Sequence, residues 1–333
     1  MDPSSFHHRK SKLSTGRTYH FVDQLPKKYN PRRNPTILCI HGFPDCWYGY
    51  RYQIRPWTHK GFRVVVPDML GYGDTDRPEH PSEYSTKKLC ADLAALLDHL
   101  GVQRAIVIGH DWGAFTAGRF ALWHPDRLLA LAILSVPYTP PTVEYMSIQR
   151  VAKIAPNLAY QAYFDSERSS QDIDSNLTPF LRLIFRKSNG ADININDVIK
   201  GPENLAKLKV SDTDLILKPK DFKYYHKVLS KGMKQPLNYY RTSLYRFEEE
   251  KAASLPSHLR EDLPVLFIWG TKDTTCTASV ISKSHKFVSR LQVVALEDFG
   301  HWILIEDKAR DQVTKTTLEW LEGLMVKPPK AML

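Results

Sequence analysis

The sequence predicts an α/β fold built on a doubly wound, mostly parallel sheet. Three patterns carry that expectation: short continuous apolar runs alternate with amphipathic helical stretches, Gly and Pro punctuate the junctions, and one long helical stretch interrupts the alternation. A chain of 333 residues, 42% of them hydrophobic, can bury one large core with insertions and is short for two independent domains. With 16 glycines and 22 prolines and no repeat or low-complexity window, it is not a solenoid.

Tyr19 to Val22 reads as a short strand, and Thr36 to Ile40 as a buried one ending at His41-Gly42. Phe62 to Val66 is another continuous apolar strand, stopped by Pro67-Asp68. Such runs suit parallel strands covered on both faces, so the aromatic stretch Trp47 to Trp57, closed by Gly61, must hold a crossover. Ser85 to Leu100 places Leu89, Leu93, Leu96, Leu97 and Leu100 on one helical stripe, and Gly101 stops it. Next come the strand Ala105 to Ile108, a tight Gly-rich corner, a helix from Trp112 to Trp123 ended by Pro125, and the strand Leu128 to Val136.

The alternation then breaks for about 125 residues between Pro137 and Pro264, a tyrosine-rich stretch with helices such as Leu177 to Phe185 and Asp221 to Lys231 and a polar loop at Asn189-Gly190. It resumes with the strand Pro264 to Trp269, a helix after Thr277, the strand Gln292 to Leu296 and a last helix carrying Val313, Trp320, Leu321 and Leu324. The expected organisation is a flexible basic arm at 1–17, a core at 18–137 and 259–326, and a helical cap at 138–258. The cap would cover the carboxyl ends of the strands, where open α/β sheets bind ligands.

Composition excludes several classes. The longest apolar run, Leu128 to Val136, is far below the roughly 20 residues of a membrane helix. The first residues lack the apolar segment of a secretory signal, so a cytoplasmic location is expected. Cys39, Cys46, Cys90 and Cys276 lie without metal spacing inside apolar patterns and read as reduced packing residues. The net charge of +10 owes much to Arg9, Lys10, Lys12, Arg17, Lys27, Lys28, Arg32 and Arg33, which face only Asp2 and Asp23. No aromatic platform accompanies them, so they read as a solvated arm and no nucleic-acid partner is expected.

The run Gly109-His110-Asp111-Trp112-Gly113 lies between a strand and a helix and has the small-x-nucleophile-x-small form of a nucleophile elbow. Its centre is aspartate, and no G-x-S-x-G occurs, which removes a serine esterase. Alone, Asp111 could equally cap the following helix. Its partners argue otherwise, because in the α/β-hydrolase fold the acid and the histidine follow the nucleophile in that order, each just past a strand. Asp273 follows the strand ending at Trp269, and His301 follows the strand ending at Leu296. Glu144 falls inside the insert, which leaves Asp273 as the acid; His110 sits off the elbow's centre, and His41 is expected to hold its loop. His41-Gly42-Phe43-Pro44 stands where this fold builds half of an oxyanion hole, so the N–H groups of Phe43 and Trp112 are expected to serve there, although a plain strand-to-helix turn has the same look.

A carboxylate is already ionised at neutral pH and attacks carbon without a base. The product is an ester whose carbonyl belongs to the enzyme, and His301, oriented by Asp273, would activate water against it. The leaving group is then a halide or the oxygen of a strained ring. The second needs an acid, and tyrosine suits the task. Tyr160 and Tyr240 in the insert are candidates, though with 16 tyrosines in the chain packing roles are common. The scheme requires no cofactor and no metal.

The run HGFPDCWYGYRYQI from His41 to Ile54, with GHDWGA, YQAYF, PLNYYR and EDFGHW, resembles the soluble epoxide hydrolase family across roughly residues 18 to 325. The resemblance implies Asp111 as nucleophile, Asp273 and His301 as the charge relay, Phe43 and Trp112 as oxyanion donors, and Tyr160 and Tyr240 as the cap tyrosines that bind and protonate the epoxide oxygen. It implies a small apolar epoxide and water as reactants, a role in detoxification, and no phosphatase activity, since the N-terminal phosphatase domain of vertebrate members has no counterpart here. Oligomeric state stays open. The end, Lys330 to Leu333, is similar to a peroxisomal tripeptide without its basic middle residue, which makes import there the weaker expectation. The rivals are a haloalkane or haloacid dehalogenase, disfavoured by Phe43, Trp112 and the paired tyrosines, and an idle hydrolase-like receptor, which has no need of a full set of catalytic groups.

Overall fold

The computed structural model describes residues 1–188, 195–199 and 202–326; the loop at Asn189-Gly190 and the tripeptide ending at Leu333 lie outside them. The strands are β1 (His8–Lys12), β2 (Thr18–Gln24), β3 (Thr36–Ile40), β4 (Arg63–Pro67), β5 (Ala105–His110), β6 (Leu128–Leu134), β7 (Val265–Gly270) and β8 (Leu291–Leu296). Around them in the core lie helices α1 (Arg51–His59), α2 (Thr86–His99) and α3 (Trp112–Trp123). Between β6 and β7 the described residues form α4 (Ile148–Ile154), α5 (Tyr160–Asp165), α6 (Arg168–Ser175), α7 (Leu177–Ile184), α8 (Ile195–Val198), α9 (Pro202–Lys207), α10 (Pro219–Leu229), α11 (Lys234–Arg241) and α12 (Ser243–Ala252). Two more helices, α13 (Ala278–Ser284) and α14 (Ala309–Val326), complete the core.

The sheet runs β1-β2-β4-β3-β5-β6-β7-β8, with the β1–β2 and β2–β4 pairings antiparallel and the rest parallel. Every residue of β3, β4 and β5 is buried, as continuous apolar runs covered by helices on both faces require. After β3 the chain crosses to β4 on one side and then returns to β5 on the other. The strand order therefore reverses between β3 and β5, and their carboxyl ends open a crevice where this architecture binds ligands. The loops that follow His110 and Ile40 stand side by side there, since Ile40 pairs with Gly109.

The expected flexible arm at 1–17 is not observed, and the core begins before residue 18. His8–Lys12 pairs antiparallel with β2 in the register His8↔Val22 to Lys12↔Thr18 and forms the sheet's edge. Phe6 and Leu13, at either end of the strand, are buried, and the Phe6 ring lies edge-on to Trp47 at 5.2 Å. Arg9 and Arg63 both pair with the buried Asp23. The strand escaped the sequence reading because its side chains are polar on both faces, so no apolar period marks it. A basic, polar edge also discourages pairing with other chains.

The four cysteines are buried free thiols, as their apolar settings implied. No described helix is long and apolar enough to cross a membrane. If residues 1–13 are part of the fold, Phe6→Ala should cost about 3 kcal/mol, as a cavity in a core does. The urea unfolding midpoint checks this, and an unchanged midpoint would restore the solvated arm.

Candidate active site

Asp111 is the single residue between the end of β5 and the start of α3, and its backbone sits at φ 55, ψ −123. Side-chain-bearing residues rarely adopt that conformation, and it persists only where the surroundings impose it. They do so by close approach. A Cβ on Gly109 would collide with the carbonyl of Gly113, and one on Gly113 with the carbonyl of Ile40. The corner closes only with glycine at both places, and it lifts the carboxylate above the sheet. That carboxylate makes no capping hydrogen bond to α3, so the helix-cap alternative does not describe it.

Instead, Asp111 Oδ1 accepts the backbone N–H of Phe43 at 2.7 Å, and its Oδ2 lies 3.4 Å from His301 Nε2. His301 Nδ1 donates to Asp273 Oδ2 at 2.7 Å. The other oxygen of Asp273 accepts the backbone N–H and the hydroxyl of Thr275, at 2.9 and 2.7 Å. Asp111, Asp273 and His301 thus meet at the carboxyl ends of β5, β7 and β8, in the order the sequence reading gave them. Trp112 is the first residue of α3, where backbone N–H groups have no partner within the helix, next to the same carboxylate. His41 serves its loop as expected: its Nδ1 donates to the Gly42 carbonyl, and its Nε2 accepts from the N–H of Met69.

Tyr160 opens α5 and Tyr240 lies in α11, so both come from the insert. The Tyr240 ring stands perpendicular to Phe43 at 5.0 Å and to Trp112 at 5.1 Å. Phe164, one turn after Tyr160, packs on Phe43, Tyr160 and Tyr240. Burial pushes both phenols upward; the charge of Asp111 adds to the shift of Tyr160, and Tyr160 with Asp111 to that of Tyr240. Both stay protonated and remain donors. Among the described residues no cluster of His, Cys, Asp and Glu has the form of a metal site.

The charges of the triad are set by one another. Burial works against ionised Asp111, but the hydrogen bond and charge of His301, together with the Phe43 amide, outweigh it and hold the carboxyl below its usual range. Burial likewise opposes a charged His301, and the two carboxylates overcome it, Asp273 foremost, raising the imidazole above its ordinary value. The resting site holds two carboxylates and an imidazolium between them.

Three supporting groups had not been expected. Thr275 fixes Asp273, and the short spacing Asp-x-Thr was the available signal. Ser135 Oγ and His110 Nε2 both donate to the carbonyl of His301, at 2.8 and 2.9 Å. No sequence period links these to a residue more than 160 positions away. Burial brings His110 down to about 4, so it stays neutral and serves as a donor.

Chain 35–308 matches the family model described as the alpha/beta hydrolase fold. Epoxide hydrolase A of Mycobacterium tuberculosis is 31% identical over 307 residues, 88% of this chain and 92% of that protein. The chain belongs to the epoxide hydrolases of the α/β-hydrolase fold. Bifunctional epoxide hydrolase 2 of Rattus norvegicus is 30% identical over 98% of this chain, and this chain spans only 57% of that longer relative. The crystal structure of epoxide hydrolase A from Mycobacterium thermoresistibile superposes with a TM-score of 0.81 at 26% identity, covering 96% of this chain and 98% of that one.

In this epoxide hydrolase relative, NMR titration of the His301 ring should find its imidazolium persisting above the usual histidine range. Asp111→Asn removes one of the two carboxylates, and the titration should move down towards neutrality. An unchanged midpoint in that variant would separate His301 from Asp111.

Proposed function

We propose that this protein hydrolyses epoxides to vicinal diols in two steps, through a covalent ester on Asp111. The observation that carries the reading is an ionised carboxylate at a strained elbow, with two insert tyrosines electrostatically coupled to it and kept protonated by burial. A halide leaving group needs no such acids; an epoxide oxygen does.

In the first step one oxygen of Asp111 attacks an epoxide carbon, the C–O bond breaks, and the oxygen takes a proton from Tyr160 or Tyr240. Oδ2 is the oxygen available, because Oδ1 is held by the Phe43 N–H. Oδ1 then becomes the ester carbonyl oxygen, already at the donor that stabilises it when water adds. Esterification also removes the charge of Asp111. His301 loses one of the two carboxylates that kept it protonated, gives its proton up to restore the phenol of the tyrosinate, and can then accept one from water. Asp273 balances the imidazolium that forms, and the tetrahedral oxyanion rests on the N–H groups of Phe43 and Trp112. Its collapse expels the alkoxide, which takes the proton of the added hydroxyl and leaves as the diol while Asp111 returns to a carboxylate.

Residues 138–258 act in this reading as the cap that carries the acids and shields the ester from bulk water. Phe43, Trp112, Phe164 and Tyr240 give the site an aromatic wall suited to small apolar epoxides. Four buried thiols fit a reducing compartment, and we assign the activity to the cytoplasm as epoxide detoxification.

His301→Gln should form the ester and fail to clear it, so intact-mass measurement after mixing with an epoxide finds protein plus epoxide. Asp111→Asn should show neither adduct nor diol, with turnover down roughly a thousandfold or more. If His301→Gln remains unmodified by a panel of styrene-type, aliphatic and fatty-acid epoxides, and haloalkanes alkylate it instead, the halide reading replaces this one. The pH dependence has a sign of its own. Clearing the ester needs neutral His301, whereas attack needs only ionised Asp111, whose pKa is low. Lowering the pH from neutrality should therefore increase the steady-state ester fraction in acid-quenched wild-type samples, and a decrease would contradict the division of labour.

A further inference from the structure

The insert is bolted to the oxyanion loop by two side chains of α10, Asp221 and Tyr225, which lie one turn apart on the same helix face. Asp221 accepts the hydroxyl of Tyr48 at 2.9 Å and Arg51 Nη2 at 3.3 Å, all buried. The Tyr225 hydroxyl donates to Asp45 Oδ1 at 2.8 Å. Asp45 stands two residues after Phe43 and is itself only 1% exposed. Its Oδ1 also accepts the N–H of Cys46 at 2.8 Å, and its own N–H donates to the Gly42 carbonyl at 3.2 Å, closing a turn around Phe43-Pro44. On its far side the carboxylate is packed so closely on Gly49 that a Cβ there would collide with it.

We propose that Tyr225 is a positioning residue of the reaction: through Asp45 it holds the turn that aims the Phe43 N–H at the ester's carbonyl oxygen, so the insert governs ester hydrolysis. The inference rests on the two-step reading above. Asp45 has reason to need the hydroxyl. Burial, with the charge of Asp111 adding to it, raises its carboxyl to about 7 even though the Tyr225 and Cys46 hydrogen bonds pull it down. A buried carboxylate that loses one of its donors shifts or recruits another, and the turn it anchors shifts with it. The Tyr225 ring reaches the histidine side as well, packing tilted at 4.7 Å against Phe185, whose ring centre lies 4.6 Å from that of Trp302, the residue after His301.

The consequence is asymmetric. Attack by Asp111 gains nothing from the Phe43 N–H, which stabilises the carboxylate before it reacts. Hydrolysis of the ester depends on that N–H, because negative charge develops on the oxygen it faces. Misalignment therefore slows the second step alone.

Single-turnover quench experiments with styrene oxide separate the two rate constants in wild type, Tyr225→Phe, Asp45→Ala, the double variant and Tyr224→Phe. The Tyr224 hydroxyl, on the same helix, accepts from the Trp47 indole, whereas the helix's hydrogen bond to Asp45 comes from Tyr225. Tyr225→Phe and Asp45→Ala are expected to slow hydrolysis roughly tenfold, with alkylation unchanged or faster and the double variant no slower than either single one. Tyr224→Phe should keep the wild-type split. Equal slowing of both steps in Tyr225→Phe, or the same split in Tyr224→Phe, overturns the proposal and leaves Tyr225 a packing residue. Partial unfolding lowers amplitudes and not these first-order rate constants, and if Tyr225→Phe does not fold, Asp45→Ala against Tyr224→Phe decides. Absence of any ester in the wild type defeats the two-step reading itself.

Discussion

Everything at the site depends on one backbone conformation, the left-handed φ of Asp111 at the corner between β5 and α3. The corner is enforced from below by the pairing of β5 with β3 and from the sides by the approach of Gly109 to Gly113 and of Gly113 to Ile40. Because β3 and β5 are neighbours, the same approach brings the loop after β3 against the lifted carboxylate, and the Phe43 N–H arrives without a side chain to place it. Strain at Asp111 and the hydrogen bond from Phe43 are two results of one packing constraint. The stable parallel sheet bears the cost of the strained residue.

The second organising element is charge. Two carboxylates share one imidazole, so each ionisation supports the others against burial. That arrangement is self-consistent only while Asp111 is anionic. Esterification cancels one charge and turns the histidine from an imidazolium into a base at the moment a base is required. In this reading the nucleophile regulates its own general base, and no conformational change is needed for the switch.

How far the sequence could be read follows from where each signal lies. The elbow was legible because its geometry demands particular residues at three of five consecutive positions, and Asp273 and His301 because each follows an apolar strand of unmistakable composition. The strands β3 to β7 were legible for the same reason, with ends displaced by a residue or two. β1 was not, because alternating exposed and half-buried polar residues carry no apolar period, and its anchors Phe6 and Leu13 lie outside it. Ser135 and Asp45 were missed for a different reason: each acts through a contact made only after distant segments meet, Ser135 on His301 and Asp45 on Tyr225, and such contacts leave no local pattern. Thr275, by contrast, touches Asp273 only two residues away, so its signal was local.

The most direct test of the central claim follows the oxygen atoms of one turnover. Enzyme in excess over an epoxide, in heavy-oxygen water, should release a first diol whose added oxygen comes from Asp111 and is unlabelled. The heavy atom should instead appear in the peptide containing Asp111, because water attacks the ester carbonyl. Label in the diol of that first turnover, with an unlabelled Asp111 peptide, would mean that water attacks the epoxide directly and that Asp111 is not the nucleophile.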